Sequence, residues 1–456
     1  LGKDQLLVIG GVAAGLASAM EARRARRDLR VIVLERTADI SYGACGIPYV
    51  VAGLIPSLES LTVRTPAFFR EHEIEIRLNC AALEILPARS VVRVRDTDGT
   101  ERELGYGSLV LATGAAAVCP PLPGRELEGV FVVRHMRDAR RMQRFIEEAR
   151  PRTAAVVGAG YIGLEMAEAF AARGLRTTLV EASDKVMSTV GGSARDAVAG
   201  ELRARGVEVL FGERATAFEG ARGRVARVVT ESGRAVEADI VSIGVGVRAE
   251  VELARAAGLE IGESGAIAVD ERQRTSASNV YAAGDCSETL HRVSGRRVWH
   301  PLAQPAVKQG WVAGANSARA DSTSAEARFA GIVGTNVVKV FDLEIARTGL
   351  SLAEAADAGF DASETETETR SRARYYPGGS KILTRLIADR TGRLLGAQLV
   401  GREGVAGRID VYAAALHASL KTGDLERLDL AYAPPFAPTI DPVIRAAHEA
   451  KQKRQR

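Results

Sequence analysis

Apolar positions along the chain fall into short unbroken runs, separated by glycine turns and charged helical stretches. Residues 6–11 read as a buried strand, 21–30 as a charged amphipathic helix, and 31–34 as a second strand ending at Glu35. Continuous Val, Ile and Leu runs suit parallel strands covered on both faces. Strand, glycine turn, helix and strand within about thirty residues make a βαβ unit. The pattern recurs: 153–157 predicts a strand, 158–163 a glycine turn, 164–174 a helix, and 176–180 a strand ending at Glu181. Residues 109–114 and 279–285 are two further strands, each running into a small-residue turn.

From about residue 331 the texture changes. Residues 363–369 alternate carboxylate with hydroxyl, a period of two that suits a half-exposed strand. Residues 382–388 and 394–400 read as a hairpin turning at 389–392, residues 408–421 as a helix, and Pro434-Pro435 as a break. The basic end, 451–456, predicts a solvated, frayed tail. The fold class is therefore α/β, with two Rossmann-like dinucleotide-binding domains and an α+β C-terminal domain.

The 456 residues fit about three domains. Formal charge is only +4, which argues against a nucleic-acid or membrane partner. No apolar run reaches the ~18 residues of a spanning helix. The strand, charged helix and strand that follow Lys3 exclude a secretory signal. The chain opens on Leu1, which implies a residue or more upstream. Four scattered cysteines, Cys45, Cys80, Cys119 and Cys286, form no CxxC pair. That excludes a disulfide scaffold and standard zinc motifs, and points to a reducing compartment, the cytoplasm. The six histidines show no metal-ligand spacing, so no metal site is expected; His417 is expected to be a packed or interface residue.

The second glycine turn, Gly158-x-Gly160-x-x-Gly163, is the more regular fingerprint. Its glycines allow backbone N–H groups to approach a pyrophosphate, and the helix amino terminus favours the anion. Glu181, 23 residues after Gly158, can accept from a ribose 2′-OH and would repel a 2′-phosphate, favouring NADH over NADPH. In the first turn, Gly10 and Gly15 are present but Val12 takes the second-glycine position; Glu35 again suits a ribose. Asp285, ending the 279–285 segment, suits a ribityl hydroxyl. This combination resembles the two-dinucleotide-domain flavoproteins of the pyridine nucleotide-disulfide oxidoreductase superfamily. The resemblance implies FAD on a discontinuous unit, 1–119 and 247–330, NAD(P)H on an inserted unit, 120–246, and a dimerisation domain, 331–456. It implies FAD contacts from Gly10, Gly15, Glu35, Arg36, Thr113, Gly114, Asp285 and Ala303. It implies nucleotide contacts from Gly158, Gly160, Tyr161, Gly163, Glu165 and Glu181, with Tyr161 a gating aromatic and Glu165 an acid on the nicotinamide side.

Cys45 lies in Ser41-Tyr42-Gly43-Ala44-Cys45-Gly46-Ile47-Pro48-Tyr49, where Pro48 can fix a helix start. A thiol near a helix amino terminus has a lowered pKa, whereas the other three cysteines are expected to be packing residues. This segment, with Arg64-Thr65-Pro66, Pro301-Leu302-Ala303, Tyr375-Tyr376-Pro377-Gly378, Arg408-Ile409-Asp410-Val411 and Ala431-Tyr432-Ala433-Pro434-Pro435-Phe436, resembles the coenzyme A-disulfide reductases, the single-cysteine branch. Glutathione reductase-like members need CxxxxC, and position 50 is Val. The remaining choices for Cys45 are a mixed disulfide with a small thiol or a sulfenic acid. Peroxidases and oxidases of the superfamily carry a His where Ala13 stands here, which favours disulfide chemistry.

The resemblance implies a relay from NADH through FAD to a Cys45–S–S–CoA mixed disulfide, within a homodimer. Tyr375 and Tyr432 would act on the partner's thiol, and Ser41, Arg24 and Arg64 would bind CoA. Arg23 and Arg27, at i, i+4 spacing, share the same basic helix. A persulfide or polysulfide reductase, an NADH oxidase or peroxidase, and a non-catalytic redox sensor are the other readings.

Overall fold

The computed structural model describes residues 4–187, 190, 192–319 and 326–455. Its first sheet is five parallel strands in the order Val280–Ala282, Ser108–Leu111, Gln5–Ile9, Arg30–Leu34, Ile74–Arg77. The second repeats the plan: Glu208–Phe211, Arg176–Glu181, Thr153–Val157, Ile240–Ile243, Val130–Val132, again all parallel. In each, the strand before a glycine turn is central, flanked by the strand that ends in a glutamate. Leu6, Leu7, Val8, Ala154, Ala155 and Val156 are fully buried, as strands covered on both faces must be.

The first sheet takes its outer strand, Val280–Ala282, from beyond the second sheet in sequence. The two connections between them run side by side, Ala115–Ala117 pairing antiparallel with Val247–Ala249. Each unit also carries a three-stranded antiparallel meander that the hydrophobic pattern did not reveal: Ala81–Leu86, Val91–Arg95, Glu101–Gly105 in the first, and Ala215–Ala221, Arg224–Thr230, Ala235–Glu237 in the second. A third sheet is antiparallel, in the order Asn336–Val340, Leu343–Gly349, Leu394–Gly401, Lys381–Asp389, Ala362–Arg370. The helices Val405–His417 and Pro442–Gln455 bury Ile409, Tyr412, Val443 and Ala447 in its core.

Three local expectations need correction. The first helix is Ala13–Ala25, five residues shorter than expected at its end. Arg26 is extended, and Arg30 already belongs to the next strand, so Arg27 is not on the helix. The C-terminal helix begins at Val405 and stops at His417, before the left-handed Ser419, and His417 is exposed in the single chain. The basic end is not frayed: the last helix runs to Gln455. Lys451 donates to Glu426 (2.7 Å), Lys453 to the Glu364 carbonyl (2.8 Å) and Arg454 to Thr422 (2.7 Å).

Candidate active site

The two glycine turns are built alike. Gly10 and Gly158 have φ of +116° and +102°, and a Cβ on Gly15 or Gly163 would lie 1.9 Å from the carbonyl oxygen of Gly10 or Gly158. Only glycine lets each helix begin so close to its strand. Gly160 differs: a Cβ there would meet only the Gly244 oxygen, at an ordinary 3.7 Å. The protein itself therefore has room for a side chain at 160, and its omission leaves space for a close ligand, as a pyrophosphate cradle requires.

Glu35 and Glu181 also strut their own turns. Glu35 accepts from the N–H of Gly11 (2.9 Å) and of Thr37 (2.8 Å). Glu181 accepts from the N–H of Ala159 (2.6 Å) and of Ser183 (2.8 Å). The helix Ala303–Ser317 lies parallel to Ala13–Ala25 at backbone contact. A Cβ on Gly310 would sit 2.5 Å from the Ala14 oxygen, and one on Gly314 would sit 2.2 Å from the Ser18 oxygen. Two helix amino termini thus point the same way, with Ala303 exposed at the start of one. Gly114 (φ +79°) has open space where its side chain would be, and Thr113 donates to the Glu250 carbonyl (2.6 Å). These features fit a dinucleotide on each turn.

Other predicted cofactor residues are engaged within the protein. Arg36 forms a bidentate pair with Glu250 (3.0 and 2.9 Å). Asp285 pairs with Arg134 (2.7 Å), a residue the sequence reading missed.

Cys45 sits in a three-residue turn, Ala44–Gly46, ahead of the short helix Ile47–Ala52. A Cβ on Gly46 would strike Leu61 at 2.3 Å, so the turn depends on that glycine. The thiol is exposed. Its pKa is nevertheless pushed up rather than down, first by desolvation and then by the charge of Glu165, against the guanidinium of Arg134. The expected lowering fails because the helix is short and starts two residues later, whereas the enclosing walls and the carboxylate act directly. The turn presents a reachable thiol rather than a standing thiolate.

Glu165 lies one helical turn after Tyr161 on the helix Tyr161–Ala172. Burial pushes its carboxyl up to about 7, although a hydrogen bond from the Tyr49 hydroxyl (3.4 Å) opposes this. Tyr49, four residues beyond Cys45, is thus the link between the thiol's helix and the second glycine-turn helix.

The predicted substrate residues divide. Ser41, at φ +49°, donates its N–H to the Gly11 carbonyl (2.9 Å) and accepts from the Val63 N–H (2.7 Å). It thereby ties the Cys45 loop to the first glycine turn and draws in the segment before Arg64, whose guanidinium lies 4.6 Å above the Phe68 ring. Arg24, in the last turn of its helix, pairs with Glu21 (2.8 Å). Tyr375 and Tyr432 share a hydroxyl–hydroxyl bond of 3.1 Å. They are 76% and 47% exposed, beside the exposed Phe436 and Ile440. The bond between them raises the Tyr375 phenol's pKa and lowers that of Tyr432. Cys80 and Cys286 are buried, but Cys119 is exposed, contrary to its expected packing role; all four thiols are free.

The pyridine nucleotide-disulphide oxidoreductase profile matches residues 4–310, and that family's dimerisation-domain profile matches 335–443. The chain belongs to this family. It is an NAD(P)H-dependent flavoprotein disulfide oxidoreductase with FAD as its cofactor. It is 40% identical to a CoA-dependent NAD(P)H sulfur oxidoreductase of Pyrococcus abyssi over 98% of both chains. It is 29% identical to a coenzyme A disulfide reductase of Staphylococcus aureus, over 98% of this chain and 100% of the other. The structure of an NAD-dependent persulfide reductase from A. fulgidus superposes with a TM-score of 0.94 at 38% identity, covering 99% of this chain and 83% of that one. Among the described residues, no helix is long and apolar enough to cross a membrane, and no group of three or more His, Cys, Asp or Glu is arranged to hold a metal.

Proposed function

We propose that the chain uses NADH to reduce coenzyme A disulfide, or a related low-molecular-weight disulfide, through Cys45, as a cytoplasmic homodimer. The observation that carries this is the reachable Cys45 thiol with no cysteine paired to it, so that in disulfide chemistry the second sulfur comes from a substrate. Gly10, Gly15, Glu35, Thr113, Gly114, Asp285 and Ala303 would hold FAD on the first turn, where it would supply the electron pair for disulfide reduction, and Gly158–Gly163 would hold the nicotinamide nucleotide that is its source. Once deprotonated, Cys45 attacks one substrate sulfur, the S–S bond breaks, and a CoA thiolate leaves. Two electrons and one proton then return Cys45 to a thiolate and release the second CoA as thiol. In balance, one disulfide, one NADH and one proton give two thiols and NAD⁺.

Tyr375 and Tyr432, from the second copy, hold a proton for the departing thiolate; their mutual hydrogen bond supports that role. Arg24, Arg64 and Ser41 hold the CoA phosphates and chain, guanidinium being suited to bidentate phosphate contact. Glu181 selects NADH, and kcat/KM favouring NADPH would overturn that assignment. The reading is tested by intact-mass measurement before and after NADH. A CoA-sized adduct on Cys45 that NADH removes is expected, and full activity in Cys45→Ser would overturn the mechanism.

A second reading, reduction of a CoA persulfide or a polysulfide at the same thiol, is favoured by the names of the relatives at 40% and 38% identity. Comparing kcat/KM for CoA disulfide and CoA persulfide, with sulfide release measured, decides between them. A relative at 36% identity is named NADH oxidase; Ala13 in place of histidine supports disulfide chemistry over that route.

A further inference from the structure

Tyr161 opens the helix that follows Gly160, and its half-buried ring packs into the same apolar cluster as Val12 of the first glycine turn and Ala44 beside Cys45. The same helix one turn on carries Glu165, which accepts from Tyr49 beside Cys45, so Tyr161 opens the helix that meets the first unit. The reacting ends of two bound dinucleotides have to come within about 3–3.5 Å of each other. The Tyr161 hydroxyl donates 2.6 Å to Oδ1 of Asn336, the first residue of the third sheet's strand Asn336–Val340.

Asn336 is held firmly. Its amide donates to the Gly334 carbonyl (3.3 Å), which turns Oδ1 towards Tyr161. Across the hairpin it pairs with Arg347, which is itself buried and bonded to Glu354 (2.6 Å). Gly334 has a left-handed φ of +72° and lies beside His291 and His300, where a Cβ would be in ordinary contact at 3.4 Å from one ring and 3.6 Å from the other. Further ties join this segment to the same helix: the Phe341 N–H, just past the strand, donates to Glu168 (2.8 Å), and Lys339 pairs with it (3.9 Å). The bond to Tyr161 thus runs from an over-determined point in the third domain to the mouth of the second nucleotide turn.

We propose that Asn336 is a positioning residue for nucleotide entry. From the third domain it latches the Tyr161 phenol at the mouth of the second turn, and a nicotinamide nucleotide has to break the Oη–Oδ1 bond to seat its ring. The apparent affinity then carries the cost of opening the latch, since only the opened fraction binds. The inference rests on the family's nicotinamide chemistry and not on the identity of the disulfide.

The test is calorimetric titration of NAD⁺ into the FAD-loaded enzyme with no disulfide present, so loss of the proposed substrate activity would leave it untouched. Tyr161→Phe and Asn336→Ala are each expected to tighten Kd by roughly three- to tenfold, the range of one hydrogen bond. The double variant is expected to bind no tighter than either single one. Unchanged, weakened or additive affinities would overturn the latch. A purely structural role for Asn336 would alter Kd in Asn336→Ala but not in Tyr161→Phe. Should Asn336→Ala fail to fold, Tyr161→Phe alone still decides by whether its Kd falls.

Discussion

The Tyr49 hydroxyl donates 3.4 Å to Oε1 of Glu165, joining the helix behind Cys45 to the helix behind the second glycine turn. Glu165 is pushed up to about 7, chiefly by burial, so near neutral pH it divides between neutral and charged forms. Because its folded pKa lies above the ordinary 4.5, its protonated form stabilises the fold below about pH 4.5, and that contribution is lost as pH rises through 7. Glu165→Gln removes the loss. The variant's stability relative to wild type is expected to rise between pH 5 and pH 8, by up to about 3 kcal/mol in urea unfolding.

The same carboxylate raises the Cys45 thiol. Glu165→Gln is therefore expected to lower the pH midpoint of Cys45 alkylation by iodoacetamide. The measurement uses Cys119→Ser as background, since Cys119 is also exposed. An unmoved midpoint would show that the charge of Glu165 does not act on this thiol.

Two glycines of one turn separate fold from binding. At Gly163 a Cβ collides with the Gly158 carbonyl, so Gly163→Ala is expected to cost about 1–3 kcal/mol of stability. At Gly160 a Cβ fits the protein. Gly160→Ala is expected to keep the wild-type unfolding midpoint and to weaken NADH binding by tenfold or more, read by titration.

Much of this architecture is legible in the sequence because its signals are local. Within each unit the Val, Ile and Leu runs, the glycines (10 and 15, or 158 and 163) and the glutamate closing the second strand lie within about thirty residues of one another. The meanders were hidden because strands such as Glu101–Gly105 are short and charged, half-exposed on both faces, and share their pattern with loops. The length of the first helix was overread because the arginines continue past Ala25 while the backbone does not. The pairs Tyr49–Glu165, Arg134–Asp285 and Tyr161–Asn336 span 116, 151 and 175 positions. Nothing in periodicity reports contacts that only the packing of three sheets creates. The raised Cys45 thiol belongs with them, since Glu165 reaches it from another domain.

Arg408 shows how the third domain holds the exposed tyrosines in place. Its guanidinium is buried against Asp441 (2.8 Å) and also donates to the carbonyls of Gly404 (3.0 Å), Ser371 (3.3 Å) and Phe436 (3.3 Å). The last two bonds fasten the segments that carry Tyr375 and Tyr432. Replacing one member of such a pair leaves a buried carboxylate without its counter-charge, so Arg408→Met is expected to cost about 3–5 kcal/mol. Removing both charges, in Arg408→Met/Asp441→Leu, is expected to recover most of that stability but not the anchoring of the two segments. The double variant should therefore unfold near the wild-type denaturant midpoint while losing the stability of the proposed dimer in light scattering and the proposed disulfide turnover together. Wild-type turnover in a stable dimeric double variant would show that the tyrosine segments need no such anchor.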